Sequence, residues 1–197
     1  MLKKTFLILL LTGLNSCSIP NYMFDSPTQV GGADFTTGKW LLNEIDAPVD
    51  IKQQLTTKAI SSFKSLANTR ISYIHDVNGL LLPRKIGFQL TGAELKNIKT
   101  GSGFDYLINI QAKANRDDYS AIDITPHKFD HGGRNESEVS LVIYNLNNGT
   151  ITYSQKVVGS VTRRDDNSDV HFSKSNLELI MGAYNKIFND LENRSAK

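Results

Sequence analysis

Val139-Ser-Leu-Val-Ile-Tyr-Asn-Leu146-Asn-Asn-Gly149 decides how the chain is read. Its first eight residues carry apolar side chains on both parities, whereas a strand with one wet face alternates. A strand written this way is central in its sheet and covered on both sides. Asn147-Asn-Gly149 then supplies residues that tolerate positive φ, so the chain turns tightly into a partner strand. That partner returns through Ile151, Tyr153, Val157 and Val161. A central hairpin needs neighbours, and the flanking sequence provides them.

Upstream, residues 105–114 place Tyr106, Ile108, Ile110 and Ala112 on one face and Asn109, Gln111 and Lys113 on the other, a half-buried strand. The polar stretch 115–136, with Pro126, Gly132 and Gly133, reads as a loop of about twenty residues, a length usually reserved for functional or mobile segments. Thr91-Gly-Ala-Glu94 is a capping box, and Leu90 and Leu95 stand at the two positions of a hydrophobic staple. They open a short helix that Gly101 and Gly103 stop. Pro83 and Gly87 speak against a long regular element in 80–90. Arg70 to Val77 alternates as a strand that Asn78-Gly79 ends.

Further back, Ile51, Leu55, Ala59, Phe63 and Leu66 line one helical face behind Asp50-Ile-Lys-Gln53, which has the form of a capping box. Lys39 to Ile45 reads as the first strand. Downstream of the hairpin, Ser175-Asn-Leu-Glu178 caps a last helix striped with Leu177, Ile180, Met181, Tyr184, Phe188 and Leu191. The order β-α-β-α-β-β-β-α predicts a single α/β (α+β) domain over 39–192. Its mixed five-stranded sheet carries the helices mainly on one face. Leu141, Ile143, Ile108, Phe63, Leu177 and Tyr184 are expected to meet in one core.

The N-terminus has a different character. Lys3 and Lys4 precede the compact apolar run Phe6 to Leu11, which fades into small and polar residues before Cys17, the sole cysteine. A basic start, an apolar run too short to span a bilayer and a small residue at the cut mark a secretory signal peptide. Leu14-Asn-Ser-Cys17 resembles the bacterial lipobox, with Asn15 the less usual residue at its position. That resemblance implies a signal at 1–16 and a lipidated Cys17, with the protein held in the outer membrane and facing the periplasm. Ser18 in place of Asp after the cysteine fits this sorting. Residues 17–38, with Pro20, Pro27, Gly31 and Gly32, read as a lipidated, flexible tether, and 193–197 as a disordered tail. A coil of that length averages roughly 25 Å end to end.

Charge excludes several function classes. Lys and Arg number 22 against 20 Asp and Glu. Removing the signal removes Lys3 and Lys4, so the mature chain balances at 20 against 20. No nucleic-acid partner is implied. With Cys17 committed to lipid, the folded part has no disulfide, no thiolate nucleophile and no Cys-ligated metal.

The segments Phe104-Asp-Tyr-Leu107 and Val142-Ile-Tyr-Asn-Leu-Asn-Asn-Gly149, within this element order, resemble three envelope domains. These are the N-terminal domain of TolB, the periplasmic core of CsgG and the penicillin-binding-protein activator LpoB. The likeness spans Lys39 to Leu191 and extends to a type of Bacteroidetes lipoprotein. It implies binding of an envelope protein, with no catalytic residues to carry over.

Motifs for chemistry are weak. His127 and His131 flank Asp130, with Asp117, Asp118 and Asp123 upstream, and form the best zinc or copper candidate. Histidines four apart share a face only on a helix, which Pro126 and Gly132-Gly133 oppose, and no Glu follows His127. A polar loop is the plainer reading, and no metal is expected. Asp165, Asn167 and Asp169 start like a calcium loop, but Val170 occupies the glycine position and Asn176 the bidentate glutamate position. Gly101-Ser-Gly103 follows a helix and so is no phosphate cradle. No nucleophile elbow or Ser-x-x-Lys appears, and acidic pairs in loops lack the burial that a general acid needs. Trp40, Tyr73, Tyr106, Tyr144 and Tyr153 are expected mostly in the core. The expected function is a non-catalytic lipoprotein that presents a protein-binding domain, without cofactor or tightly bound small molecule. The alternative is a metal-binding or hydrolytic lipoprotein using the 117–131 loop.

Overall fold

The computed structural model describes residues 20–25, 31–83, 85–115, 134–162 and 175–196. Cys17, the 117–131 histidine loop and the 165–169 stretch lie outside them. The elements are β1 (Asn21–Phe24), β2 (Trp40–Leu42), α1 (Val49–Ala67), β3 (Ile71–Tyr73), α2 (Gly92–Ser102), β4 (Tyr106–Asn115), β5 (Arg134–Asn145), β6 (Thr150–Thr162) and α3 (Asn176–Arg194). The fold is a single mixed α+β domain whose open sheet has the order β1-β6-β5-β4-β2-β3. β2 pairs parallel with both β3 and β4, and every other pairing is antiparallel.

The hairpin sits where the sequence puts it. Val139, Leu141 and Ile143 enter one apolar cluster, while Val142, Tyr144 and Leu146 enter another on the opposite face. In the turn only Gly149 takes positive φ, at 70°. The asparagines contribute side chains instead: Asn147 N–H donates to Asn145 Oδ1 and Thr150 N–H to Asn148 Oδ1.

β2 leads through α1 to β3 on one side, and β3 leads through α2 back past β2 to β4 on the other. Crossovers in opposite directions place their helices on opposite faces. Accordingly α1 and α3 cover the face of Ile108, Ile110, Leu141 and Tyr153, with Phe63, Leu177 and Tyr184 in that same core. Leu95 and Ile98 of α2 cover the face of Leu107 and Tyr144. Both long helices therefore share one face, as expected, and the short one does not.

Four expectations are corrected. Among the described residues the sheet has six strands, because Asn21–Phe24 pairs with β6, Met23 opposite Val158. Residues expected in a flexible tether are thus part of the fold, and so are Ala33 and Phe35, both buried. Phe35 packs on Trp40, their rings 4.3 Å apart, and that apolar burial outweighs the coil tendency of the neighbouring glycines. The expected disordered tail is also tied down as far as Ala196. Phe35 N–H donates to Ala196 O and Ala196 N–H to Ala33 O. Finally, α1 has Pro48 as its N-cap and no Asp50 capping box: no side chain caps the helix, and the Pro48 carbonyl accepts from Ile51 and Lys52 N–H. The capping boxes at Thr91 and Ser175 both form.

Candidate functional site

In open sheets with parallel strands, ligands sit at the carboxyl ends of strands where the strand order reverses. Here that point lies between β2 and β4, and the chain fills it. Beyond β2, Asn43 N–H donates to Ile108 O, Asp46 N–H to Ile110 O, and Ala112 N–H to Asp46 O. The two chains are stitched together where a crevice would open. The segment 85–88 then lies across the same place. Buried Asn43 donates from Nδ2 to Ile86 O and accepts Ile86 N–H. Buried Asn109 donates to Gly87 O and Phe88 O, and Tyr144 Oη donates to Phe88 O. These polar side chains match backbone groups that burial would otherwise leave unpaired.

The charged groups at this end are also matched. Asp46 accepts from Lys85 Nζ at 2.7 Å and from Gln111 Nε2 at 2.8 Å. Between the ends of β2 and β3, Glu44 accepts from Lys52 Nζ and pairs with His75 Nε2 at 2.8 Å. The Lys52 ammonium, and after it His75, hold the Glu44 carboxyl below the usual carboxylate range, against burial that raises it. Lys85 and then Gln111 do the same for Asp46. Burial pushes the Tyr73 phenol up, with Glu44 adding to the effect. A carboxylate held below its usual range by a lysine ammonium and a second hydrogen-bond partner keeps its charge near neutrality, as in a structural ion pair.

The edge of β3 differs. Beside it lies a hollow of about 150 Å³ lined by Leu42, Ile60, Ile71, Ser72 and Tyr73, with Lys64 and Asp76 also in the lining. Among the described residues no strand pairs with the outer side of β3. At the other edge, Lys186 Nζ donates to Tyr22 O and its ammonium lies 5.1 Å from the Phe24 ring centroid, so that edge is partly capped.

None of Glu44, Asp46, His75 or Lys85 stood out in the sequence. His75 looked like part of a strand, but the chain leaves β3 at Tyr73 into a 3-10 turn, Ile74–Asp76, which buries Ile74 and turns His75 toward Glu44. The available signal was Glu44-x-Asp46 at the end of a strand, four residues before Asp50 opens a helical stripe. Trp40, Tyr144 and Tyr153 are buried as expected, while Tyr73 and Tyr106 are half-buried. Among the described residues no three His, Cys, Asp or Glu side chains are grouped to hold a metal. Nor is any described helix long and apolar enough to cross a membrane.

No protein-family model and no curated protein sequence matches the chain. Solved structures of similar architecture include the PelC dodecamer of Paraburkholderia phytofirmans, 12% identical over 91% of this chain and 100% of that one, with a TM-score of 0.44. Lipoprotein GNA1162 of Neisseria meningitidis is 12% identical over 78% of this chain and 99% of that one, TM-score 0.40. Protein XCC0632 of Xanthomonas campestris is 8% identical over 87% and 91%, TM-score 0.38.

Proposed function

We propose that this is a lipid-anchored protein of the bacterial envelope, acylated at Cys17 and held in the outer membrane facing the periplasm. Its domain binds another protein and catalyses nothing. The observation that carries the non-catalytic reading is the filled switch point: segment 85–88 occupies, through Asn43, Asn109 and Tyr144, the place where such sheets take ligands. The partner surface is the open β3 edge. An extended segment of the partner adds as a further strand, with an aliphatic side chain in the hollow and opposite charges toward Lys64 and Asp76.

Two experiments test this. Cys17→Ser should abolish acylation and leave a soluble or unprocessed protein, since stable attachment of the mature chain needs two or more acyl chains. A cleaved mutant that stays membrane-bound refutes the lipid assignment. For the partner, a photo-crosslinker at Ser72 in native membranes should trap one reproducible protein neighbour, and Ile60→Arg, which obstructs the hollow, should abolish the adduct. Trapping that survives Ile60→Arg, or no protein adduct at all, refutes the β3 surface.

A further inference from the structure

The proposed lipid on Cys17 and the position of β1 together fix how the domain meets the membrane. Asn21, the first residue of β1, is only four residues beyond Cys17. Four residues at full extension reach roughly 14 Å, about half the thickness of a bilayer's hydrocarbon core. β1 therefore cannot stand off from the bilayer in the way a twenty-residue tether would allow. Met23 is 57% exposed and Phe24 42% exposed, two of the four large apolar side chains exposed among the described residues. Lys186 stands beside Phe24, its ammonium 5.1 Å from the ring centroid. Met23 and Phe24, consecutive in β1, flank its edge from opposite faces of the sheet. An edge apolar on both sides with a cation beside one suits the boundary between anionic headgroups and acyl chains.

We infer that the β1 edge, through Met23, Phe24 and Lys186, seats on the bilayer surface and orients the whole domain. A partner strand is the less suitable occupant of this edge, because Lys186 already takes the outward Tyr22 carbonyl. The consequence is geometric. β3 lies five strand spacings from β1, about 24 Å, so its open edge faces away from the membrane. The inference rests on the acylation proposed above and names what that acylation achieves.

The test uses the full-length acylated protein in vesicles of phosphatidylethanolamine and phosphatidylglycerol, with or without brominated acyl chains. Trp40, the sole tryptophan, is fully buried and gives a common background. Phe24→Trp should show a blue shift on reconstitution and lose emission in brominated vesicles. Asn78→Trp, in the exposed turn after β3, should keep its emission. Met23→Trp provides a second reporter should Phe24→Trp disturb the fold. Mass spectrometry of the N-terminal peptide separates the two failures. An unmodified Cys17 overturns the lipoprotein reading itself. An acylated chain with no quenching at position 23 or 24, or with equal quenching at 78, overturns the seating of β1 alone.

Discussion

Tyr153 offers a test of the core that reads in two directions. The side chain is fully buried, and its hydroxyl lies 3.2 Å from Ile187 O and 3.1 Å from Asp190 Oδ2 on α3. Tyr153→Phe keeps the ring and deletes the hydroxyl. Asp190 retains its bond from Arg194 Nε, and Ile187 O sits within the helix, so neither acceptor is stranded. The loss is that of one hydrogen bond to a charged acceptor, about 1.5 kcal/mol at neutral pH. At alkaline pH the sign changes. Burial first, then the Asp190 charge, pushes the Tyr153 phenol far above its usual value, and burial does the same for Tyr184. A raised pKa contributes stability that is complete below the unfolded value, about 10, and is lost as pH rises above it. Each such tyrosine then costs about 1.4 kcal/mol per pH unit. The wild type carries both and the variant only Tyr184, so the 1.5 kcal/mol gap should close near about pH 11. Urea unfolding followed by circular dichroism from neutral pH upward measures both curves. Parallel curves with a constant gap would refute the reasoning, because they would mean that the Tyr153 hydroxyl ionises as readily folded as unfolded.

The other predictions concern β1, acid stability and metal. A Cβ at Gly182 would lie 2.0 Å from Tyr22 Oη, so Gly182→Ala should displace β1 from α3 and speed chymotryptic cleavage at Tyr22 and Phe24; an unchanged cleavage rate would contradict that packing. Lys52, Lys85 and Lys99, by hydrogen bonding, lower the carboxyls of Glu44, Asp46 and Asp105. Their stabilisation is therefore present above the ordinary carboxylate range, about pH 4, and fades as pH falls below it. Glu44→Gln should shallow the acid limb of the urea midpoint, and an unaltered limb would discount this ion pair. Calorimetry of residues 18–197 with zinc, copper and calcium should detect no tight site, whereas one-to-one submicromolar binding lost on His127→Ala and His131→Ala would restore the metal-loop alternative.

What the sequence by itself determined is local. Capping at Thr91 and Ser175 needs only residues three apart, and both boxes form. The double-sided apolar pattern of Val139 to Leu146 announced a central strand because burial on each face is written into alternate residues. Tertiary structure decided what depends on distant partners. Asn21–Phe24 has too little pattern to be a strand alone. It becomes one because β6 offers an edge, with Gly159 and Gly182 leaving room for the Tyr22 ring. Ala196 N–H donates to Ala33 O, and Phe35 N–H to Ala196 O, a contact between distant parts of the chain that no local window contains. The candidate site follows the same rule. The stretch 80–90 looked irregular and is irregular, but only the meeting of Asn43 and Asn109 with Ile86 to Phe88 turns it into the segment that closes the switch point. An asparagine on a strand reads as a solvent-facing residue until a neighbouring backbone satisfies its amide, and that backbone is brought there by the crossover from β3 to β4.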